Sequence, residues 1–247
     1  MQPLLQLNNI YYTFHSMQGE TEALSNVSFE VKKNEFLAIV GPSGCGKSTL
    51  FSVISNLIKP DEGKIIFNGN NIGYMFQKDN LFEWRTIYNN ILLGLEINKL
   101  KTEENLLYVD NLLKKYGLYE FKDAKPSELS GGMRQRAALI RTLALKPDLL
   151  LLDEPFSALD YQTRLNVSND ISGIIKREKK TAILVTHDLS EAISLSDKVI
   201  VLSKRPGKVK KIIDINFDLG DKRNVFNSRN SPEFKDYFNT IWKELNY

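Results

Sequence analysis

One short glycine-rich segment constrains the fold of this chain more than any other. It occupies residues 41–48, has the sequence GPSGCGKS, and follows a wholly apolar run at residues 36–40. A strand that is apolar at every position is expected to be covered on both faces, as in a parallel sheet. A helical pattern begins at about Lys47 and continues to Ile58. A strand, a glycine-rich turn and a helix in this order predict an α/β fold.

The same segment matches the pattern of a phosphate-binding loop. Glycines let the backbone wrap around phosphate oxygens, and the helix that follows adds the positive end of its dipole. Lys47 is expected to reach the β- and γ-phosphates, and Ser48 to coordinate Mg²⁺. Cys45 occupies a variable position, where a spacer is favoured over a redox group. The predicted nucleotide-binding residues of the loop are Gly41, Ser43, Gly44, Cys45, Gly46, Lys47, Ser48 and Thr49.

Two acidic residues follow a second apolar run. Asp153 and Glu154 come directly after four leucines at residues 149–152, where a buried strand is expected to end. Ligands bind outside the carboxyl ends of strands in open α/β sheets. We therefore expect Asp153 to hold Mg²⁺ through water, and Glu154 to polarise the attacking water. The alternative is that both acids cap the next helix, which Pro155 would suit.

A serine followed by two glycines predicts a second phosphate-binding element. Ser130, Gly131 and Gly132 would open a helix whose first amides are unpaired, and such an end attracts phosphate. The alternative is an ordinary glycine-containing helix start. Two anion sites for one γ-phosphate make sense if the second belongs to another chain. This arrangement predicts a head-to-tail pair of chains, related by a two-fold axis, with two composite sites.

In chain order, these segments resemble the motifs of the ATP-binding cassette (ABC) ATPases. Residues 129–133, with the sequence LSGGM, resemble the signature sequence of that family. The resemblance covers about residues 4–208. It implies an α/β P-loop NTPase fold with an N-terminal antiparallel β-subdomain and an inserted helical subdomain. It also implies ATP and Mg²⁺ as cofactors, and hydrolysis that drives movement in a partner.

The resemblance assigns roles to residues that carry little signal alone. Gln77 resembles the glutamine of the Q-loop, which touches the metal and the attacking water. His187 resembles the switch histidine, which contacts the γ-phosphate. Asp160 ends a segment, SALD, that matches the D-loop at the dimer interface of the family. Lys47, Gln77, Glu154 and His187 are all present, which disfavours a nucleotide-binding module that has lost hydrolysis.

The aromatic residue that stacks on adenine in this family lies shortly before the phosphate-binding loop. The spacing favours Phe14, with Tyr12 as the alternative. A buried strand residue at position 14 would explain the sequence almost equally well. Asn34 stands where the family usually has glycine, and Asn tolerates left-handed backbone angles, so we expect the turn to survive.

The remaining pattern predicts one domain over residues 1–247. Residues 4–14 and 24–31 are expected to pair as antiparallel strands. Residues 80–145 interrupt the alternation of strands and helices and are predicted to form the helical subdomain, with two helices between residues 86 and 116. Further strands are expected at residues 64–67, 72–76, 181–186 and 198–203, and the last forty or so residues are weakly patterned.

Composition limits the location and the partners. The net charge is +3, which is too small to argue for nucleic acid. A single cysteine fits a reducing compartment, no signal peptide is visible, and no apolar run approaches the roughly 18 residues of a membrane span. The resemblance places such a chain at the cytoplasmic face of the cell membrane. Its implied partners are a second copy, transmembrane permease subunits and, indirectly, an extracytoplasmic solute-binding protein.

Two segments narrow the resemblance within the family. Residues 81–86, LFEWRT, and residues 203–208, SKRPGK, resemble segments of ATPases that serve nitrate, sulfonate and taurine importers. Glu83 replaces the usual proline, and Trp84 has an alternative interpretation as a core aromatic. The implied function is ATP hydrolysis that powers such an importer. The alternatives are an importer of a vitamin precursor such as a pyrimidine, and a soluble ABC ATPase of DNA repair or translation.

Overall fold

The computed structural model describes residues 2–17 and 19–246. Within these residues, nine strands form two sheets, which confirms the predicted α/β fold. The strands are β1 (Leu5–Ser16), β2 (Gly19–Val31), β3 (Phe36–Val40), β4 (Glu62–Phe67), β5 (Ile72–Met75), β6 (Leu149–Asp153), β7 (Thr181–Val185), β8 (Lys198–Leu202) and β9 (Val209–Asp214).

The larger sheet places β3 near its centre. Its order is β5-β6-β7-β3-β8-β9, and all neighbours are parallel except β9, which runs antiparallel to β8. The smaller sheet has the order β2-β1-β4 and is antiparallel. The N-terminal antiparallel pairing expected from the sequence is therefore present, and β4 extends it.

Alternate residues of the parallel strands enter two different hydrophobic cores. Leu37 and Ile39 of β3 face the antiparallel sheet and the first helix, whereas Phe36, Ala38 and Val40 face the remaining helices. The leucines of β6 divide in the same way. Burial on both faces explains why these strands are apolar at every position.

The helices flank the larger sheet. They are α1 (Lys47–Ile54), α2 (Ile87–Ile91), α3 (Leu93–Ile97), α4 (Glu103–Lys115), α5 (Gly131–Leu143), α6 (Tyr161–Arg177), α7 (Leu189–Leu195), α8 (Val225–Asn230) and α9 (Pro232–Asn246). The antiparallel sheet and α1 cover one face of the larger sheet. Helices α2 to α9 contribute to the core on the other face. Within the described residues, no helix is long and apolar enough to cross a lipid bilayer.

Several predicted boundaries were wrong. Helix α1 ends at Ile54 rather than Ile58, because Asn56 adopts a left-handed φ of 58° and the N–H groups of Leu57 and Ile58 turn back to the carbonyl of Ser52. Three helices, not two, lie between residues 86 and 116. The weakly patterned C-terminal segment contains β9, α8 and α9.

Asn34 confirms one single-residue prediction, and Trp84 contradicts another. Asn34 has a φ of 63°, so the left-handed turn expected at this position is confirmed, and its N–H donates to Thr181 Oγ1 at 2.9 Å. The interpretation of Trp84 as a core aromatic is wrong, because this side chain is 71% exposed and packs on Phe82.

Candidate functional site

The glycine-rich loop leaves the carboxyl end of β3 and leads directly into α1. Gly44 and Gly46 have φ values of 75° and 103°, which glycine adopts without the penalty that a Cβ imposes. A Cβ at Gly46 would lie 2.7 Å from the carbonyl oxygen of Ala23. The glycines therefore allow both the curvature of the loop and its close packing against β2.

Lys47 is held across the loop. Its Nζ donates to the carbonyl oxygens of Gly41 at 2.7 Å and Pro42 at 3.1 Å, and the residue is only 8% exposed. Cys45 is buried, and burial raises the pKa of its thiol. Its side chain packs in the core between the two sheets, so the loop can offer only backbone atoms at this position.

A cavity of about 420 Å³ lies at the loop. Six separate segments of the chain contribute to its lining: β1, β2, the glycine-rich loop with the start of α1, the segment after β6, the segment after β7, and the loop after β8. The lining residues are Phe14, Thr21, Ala23, Ser43, Gly44, Gly46, Lys47, Ser48, Thr49, Glu154, His187 and Arg205. The cavity thus brings nine of the predicted site residues together.

Glu154 and His187 face each other at this cavity. His187 Nδ1 lies 3.1 Å from Glu154 Oε2, and the glutamate side chain is 25% exposed. Glu154 has a left-handed φ of 43°. The alternative that the acids cap the next helix is wrong, because α6 begins at Tyr161 and is capped by Asp160, whose carboxylate accepts from the N–H of Thr163.

Asp153 and Gln77 lie outside the lining of the cavity. Asp153 Oδ2 accepts a hydrogen bond from Tyr74 Oη at 2.9 Å, and burial raises the pKa of the carboxyl group. Gln77 Nε2 donates to Ser157 Oγ at 3.0 Å, and that hydroxyl donates to the carbonyl oxygen of Glu154 at 3.0 Å. Asp153 therefore connects to Glu154 along the chain, at the end of β6, and Gln77 connects to it through Ser157.

The donor set near the loop fits Mg²⁺. Ser48, Asp153 and Gln77 offer a hydroxyl, a carboxylate and an amide oxygen, and Mg²⁺ prefers oxygen ligands. Among the side chains that the structure describes, no three His, Cys, Asp or Glu residues form a metal-binding group. Mg²⁺ at nucleotide sites commonly uses one or two carboxylates together with substrate phosphates, so a single aspartate suits this ion.

A buried carboxyl group fixes the segment that carries His187. Glu191 is 4% exposed and accepts a hydrogen bond from Thr186 Oγ1 at 2.7 Å. The same hydroxyl accepts from the N–H of Asp188 at 3.0 Å. Hydrogen bonds therefore hold Thr186 and Asp188, the residues before and after His187, against α7. Burial raises the pKa of Glu191 to about 7.

The segment of His187 is also connected to the predicted D-loop. Arg164 of α6 lies 3.6 Å from the carboxylate of Asp188 and donates to the carbonyl oxygen of Leu159 at 3.0 Å. One guanidinium group thus contacts both segments. A change in the position of one segment would act on the other through this side chain.

The predicted signature residues lie outside the cavity. Ser130 caps α5, and its Oγ accepts from the N–H of Met133 at 3.4 Å. A Cβ at Gly131 would lie 3.1 Å from Leu159, and a Cβ at Gly132 would lie 2.8 Å from Val167. The small residues therefore let α5 pack against the D-loop and α6, and the capped end of α5 matches the predicted helix start.

Sequence reasoning missed three residues of the cavity. Thr21 and Ala23 lie on β2, and no motif marks them. Arg205 lies in the SKRPGK segment, whose sequence indicated a branch of the family but no role for the arginine at the site. The arginine of that segment was the available signal.

The raised pKa of Glu191 predicts a pH-dependent stability. In the unfolded chain the carboxyl group ionises near its ordinary pKa of 4.5, whereas in the folded chain it stays protonated until about pH 7. The folded state therefore loses stability as the pH rises from 4.5 to 7. We expect Glu191→Gln, which keeps an acceptor for Thr186, to become more stable than the parent chain above pH 7, by up to ~3 kcal/mol.

Urea unfolding between pH 5 and pH 8 measures this difference in the free energy of unfolding. Glu103→Gln, on an exposed position of α4, is the matched control and should follow the parent chain. Parallel pH profiles for the parent chain and Glu191→Gln would contradict the assignment. Asp188, Arg164 and His187 are the charged groups that influence Glu191, so they stay unchanged in both variants.

Comparison with known proteins assigns this chain to a protein family. Residues 24–157 match the family described as ABC transporter. The chain is 46% identical to the uncharacterized ABC transporter ATP-binding protein YtlC of Bacillus subtilis, over 98% of this chain and 95% of the relative. It is 38% identical to the taurine import ATP-binding protein TauB of Roseobacter denitrificans, over 96% and 94%.

A solved structure agrees with these relatives. The dimeric post-hydrolysis state of the ATP-binding cassette MJ0796, bound to ADP and Pi, superposes with a TM-score of 0.72 at 31% identity. The match covers 86% of this chain and 99% of that one. The chain belongs to the ABC transporter family, as one of its ATP-binding, ATP-hydrolysing members.

Proposed function

We propose that this chain hydrolyses ATP at a site shared by two copies of itself and thereby powers the import of a sulfonate such as taurine. The observation that carries the proposal is the cavity, because it combines a phosphate-binding loop with Glu154 and His187, 3.1 Å apart. Phosphoryl transfer to water requires a cation near the phosphates and a group that positions the water, and Lys47 and Glu154 provide these at one cavity.

The roles in hydrolysis follow from these positions. Lys47 and the loop amides neutralise charge on the β- and γ-phosphates. Glu154 orients the attacking water and accepts its proton, while His187 holds the Glu154 carboxylate and contacts the γ-phosphate. Ser48, Asp153 and Gln77 would hold Mg²⁺, which when bound supplies positive charge to the phosphate oxygens. Groups that are fixed before the reaction stabilise the transition state without reorganisation.

Phe14, rather than Tyr12, is the proposed contact for adenine. Phe14 lines the cavity and is 47% exposed, which disfavours the interpretation as a buried strand residue. Tyr12 packs edge-on against it, with ring centroids 4.9 Å apart. The tyrosine therefore supports the phenylalanine ring from behind, and the free face of Phe14 is available for stacking.

A second copy of the chain is the proposed source of the signature residues. Ser130, Gly131 and Gly132 lie outside the cavity of their own chain, yet the N-terminus of α5 is suited to phosphate. In a head-to-tail pair, Ser130 and Asp160 of one copy would lie at the cavity of the other. The solved structure of the similar cassette MJ0796 is dimeric, which supports an assembly of two copies.

Replacement of Glu154 tests the catalytic assignment. Glu154→Gln keeps the size and the hydrogen-bonding oxygen of the side chain but removes its capacity to accept a proton. We expect kcat for ATP hydrolysis to fall by about 10²–10⁴-fold, with nucleotide affinity preserved. Phosphate release and equilibrium binding measure the two quantities, and Glu103→Gln is the control. Hydrolysis at the parental rate would exclude Glu154 as the base.

Replacement of Ser130 tests the shared site. Ser130→Arg places a cation at the positive end of α5, so it should abolish hydrolysis while the dilute single chain still binds ATP. Loss of a helix cap alone costs about 1 kcal/mol of stability. Thr102→Arg is the matched control, because Thr102 caps α4 in the same way and has no proposed role at the site. Unchanged turnover in Ser130→Arg would contradict the two-chain site.

The proposed location is the cytoplasmic face of the membrane, on permease subunits. Residues 80–145 form the proposed helical subdomain that contacts them, together with the segment of Gln77. Trp84 and Phe82 lie at the start of this region with their rings 4.6 Å apart, and Trp84 is largely exposed. An exposed tryptophan that packs on a half-buried phenylalanine suits contact with an apolar partner surface.

The solute class is tested by transport. Proteoliposomes that contain the chain, its permease subunits and the solute-binding protein should take up taurine in an ATP-dependent manner, because TauB, named for taurine import, is similar over nearly the whole chain. Nitrate and a pyrimidine serve as competing solutes. Uptake of either in preference to taurine would overturn the sulfonate assignment. Trp84→Ala, as a second arm, should reduce uptake and leave ATP hydrolysis by the isolated chain unchanged.

A further inference from the structure

The loop after β8 brings an additional cation to the nucleotide cavity. Arg205 lines this cavity together with Phe14 and Lys47, and none of the roles assigned above uses it. It belongs to residues 203–208, the SKRPGK segment.

The segment is built into the site by backbone contacts. The N–H of Gly207 donates to the carbonyl oxygen of Ala23 at 2.9 Å, and the N–H of Ser25 donates to the carbonyl oxygen of Gly207 at 3.0 Å. A Cβ at Gly207 would lie 2.2 Å from the carbonyl oxygen of Cys45. Only glycine fits between β2 and the phosphate-binding loop, so the position of the segment is closely determined.

Arg205 extends from this segment over the phosphate-binding loop. Its Nε donates to the carbonyl oxygen of Gly44 at 3.2 Å, and a Cβ at Gly44 would lie 3.3 Å from Nη2. Among the side chains and backbone atoms that the structure describes, the two Nη atoms have no hydrogen-bond acceptor, and Arg205 forms no ion pair with a carboxylate. The residue is exposed at the cavity. Its charge and most of its donors are thus available to a ligand.

The charge of the cavity indicates what that ligand group is. Lys47 is buried against the loop carbonyls, whereas the guanidinium of Arg205 is open to the cavity. Arginine binds phosphate through parallel N–H···O contacts, and such charge-assisted bonds are stronger than neutral ones. We propose that Arg205 binds the phosphates of the nucleotide beside Lys47. This inference rests on the nucleotide site proposed above and adds a binding residue to it.

Calorimetric titration with three probes tests the proposal. The probes are ADP, the slowly hydrolysed analogue AMP-PNP, and adenosine, which has no phosphate. Arg205→Ala and Arg205→Gln should weaken the binding of ADP and AMP-PNP by about tenfold, as expected for loss of one charge-assisted contact. Adenosine binding should be unchanged. Arg205→Lys keeps the charge and should retain most of the affinity.

The glutamine variant separates a phosphate contact from a structural one. It keeps an amide donor for the carbonyl of Gly44 but lacks the charge. Parental affinity of Arg205→Gln for ADP would overturn the proposal, and so would an equal loss of ADP and adenosine binding in Arg205→Ala. The dependence of log Kd on log salt should become weaker in both variants, because one cation fewer meets the phosphates.

Lys204→Ala is the matched control. Lys204 is the neighbouring cation, is exposed, and does not line the cavity. Its replacement changes the net charge by the same amount and should leave all three affinities unchanged. A loss in Lys204→Ala equal to that in Arg205→Ala would overturn the proposal in favour of a general charge effect. Failure of the parent chain to bind ADP and AMP-PNP would instead refute the nucleotide site itself.

Discussion

Burial of β3 on both faces is the constraint on which the nucleotide site depends. This strand is hydrogen-bonded to β7 and β8, and its alternate residues enter two separate cores. Parallel strands share one carboxyl edge, so the segments after them meet there. His187 follows β7, Glu154 follows β6, and Arg205 follows β8. A shift of one residue in register would exchange the two cores, and the resulting cost holds these segments at fixed distances.

Polar contacts then connect the cavity to the segments that are proposed to meet partners. Arg164 contacts both Asp188, next to His187, and the carbonyl of Leu159 in the D-loop. Gln77 reaches the backbone of Glu154 through Ser157. These contacts give each proposed partner a physical route to Glu154 and His187. The copy that meets the D-loop would act through Arg164, and a permease that meets the Q-loop would act through the serine. The first route depends on Arg164 and the second on Gln77 and Ser157, so replacement of one side chain interrupts either route.

The sequence predicted the parts of the fold that local pattern determines. The bounds of β3 and the phosphate-binding loop followed from an apolar run and fixed spacing. The end of α1 could not be predicted in this way. It depends on a left-handed backbone conformation at Asn56, which several other residues of the chain could equally have adopted. Apolar and polar residues alternate only weakly along β9. The strand forms because it pairs with β8, and the sequence pattern of β9 alone does not specify this contact. Arg205 was missed for the same reason, since only the fold brings it to Gly44.

The backbone of Glu154 is strained, and the residues around it hold it in that conformation. A non-glycine residue with a left-handed φ costs about 1–3 kcal/mol and persists only when its surroundings determine it. Here the N–H of Glu154 donates to the carbonyl of Val185 at 2.9 Å, and its carbonyl accepts from both the N–H and the hydroxyl of Ser157. These bonds hold the strained conformation. It directs the carboxylate to His187 instead of to α6, whose cap is supplied by Asp160. A glutamate used only to end a strand would have no need of this geometry.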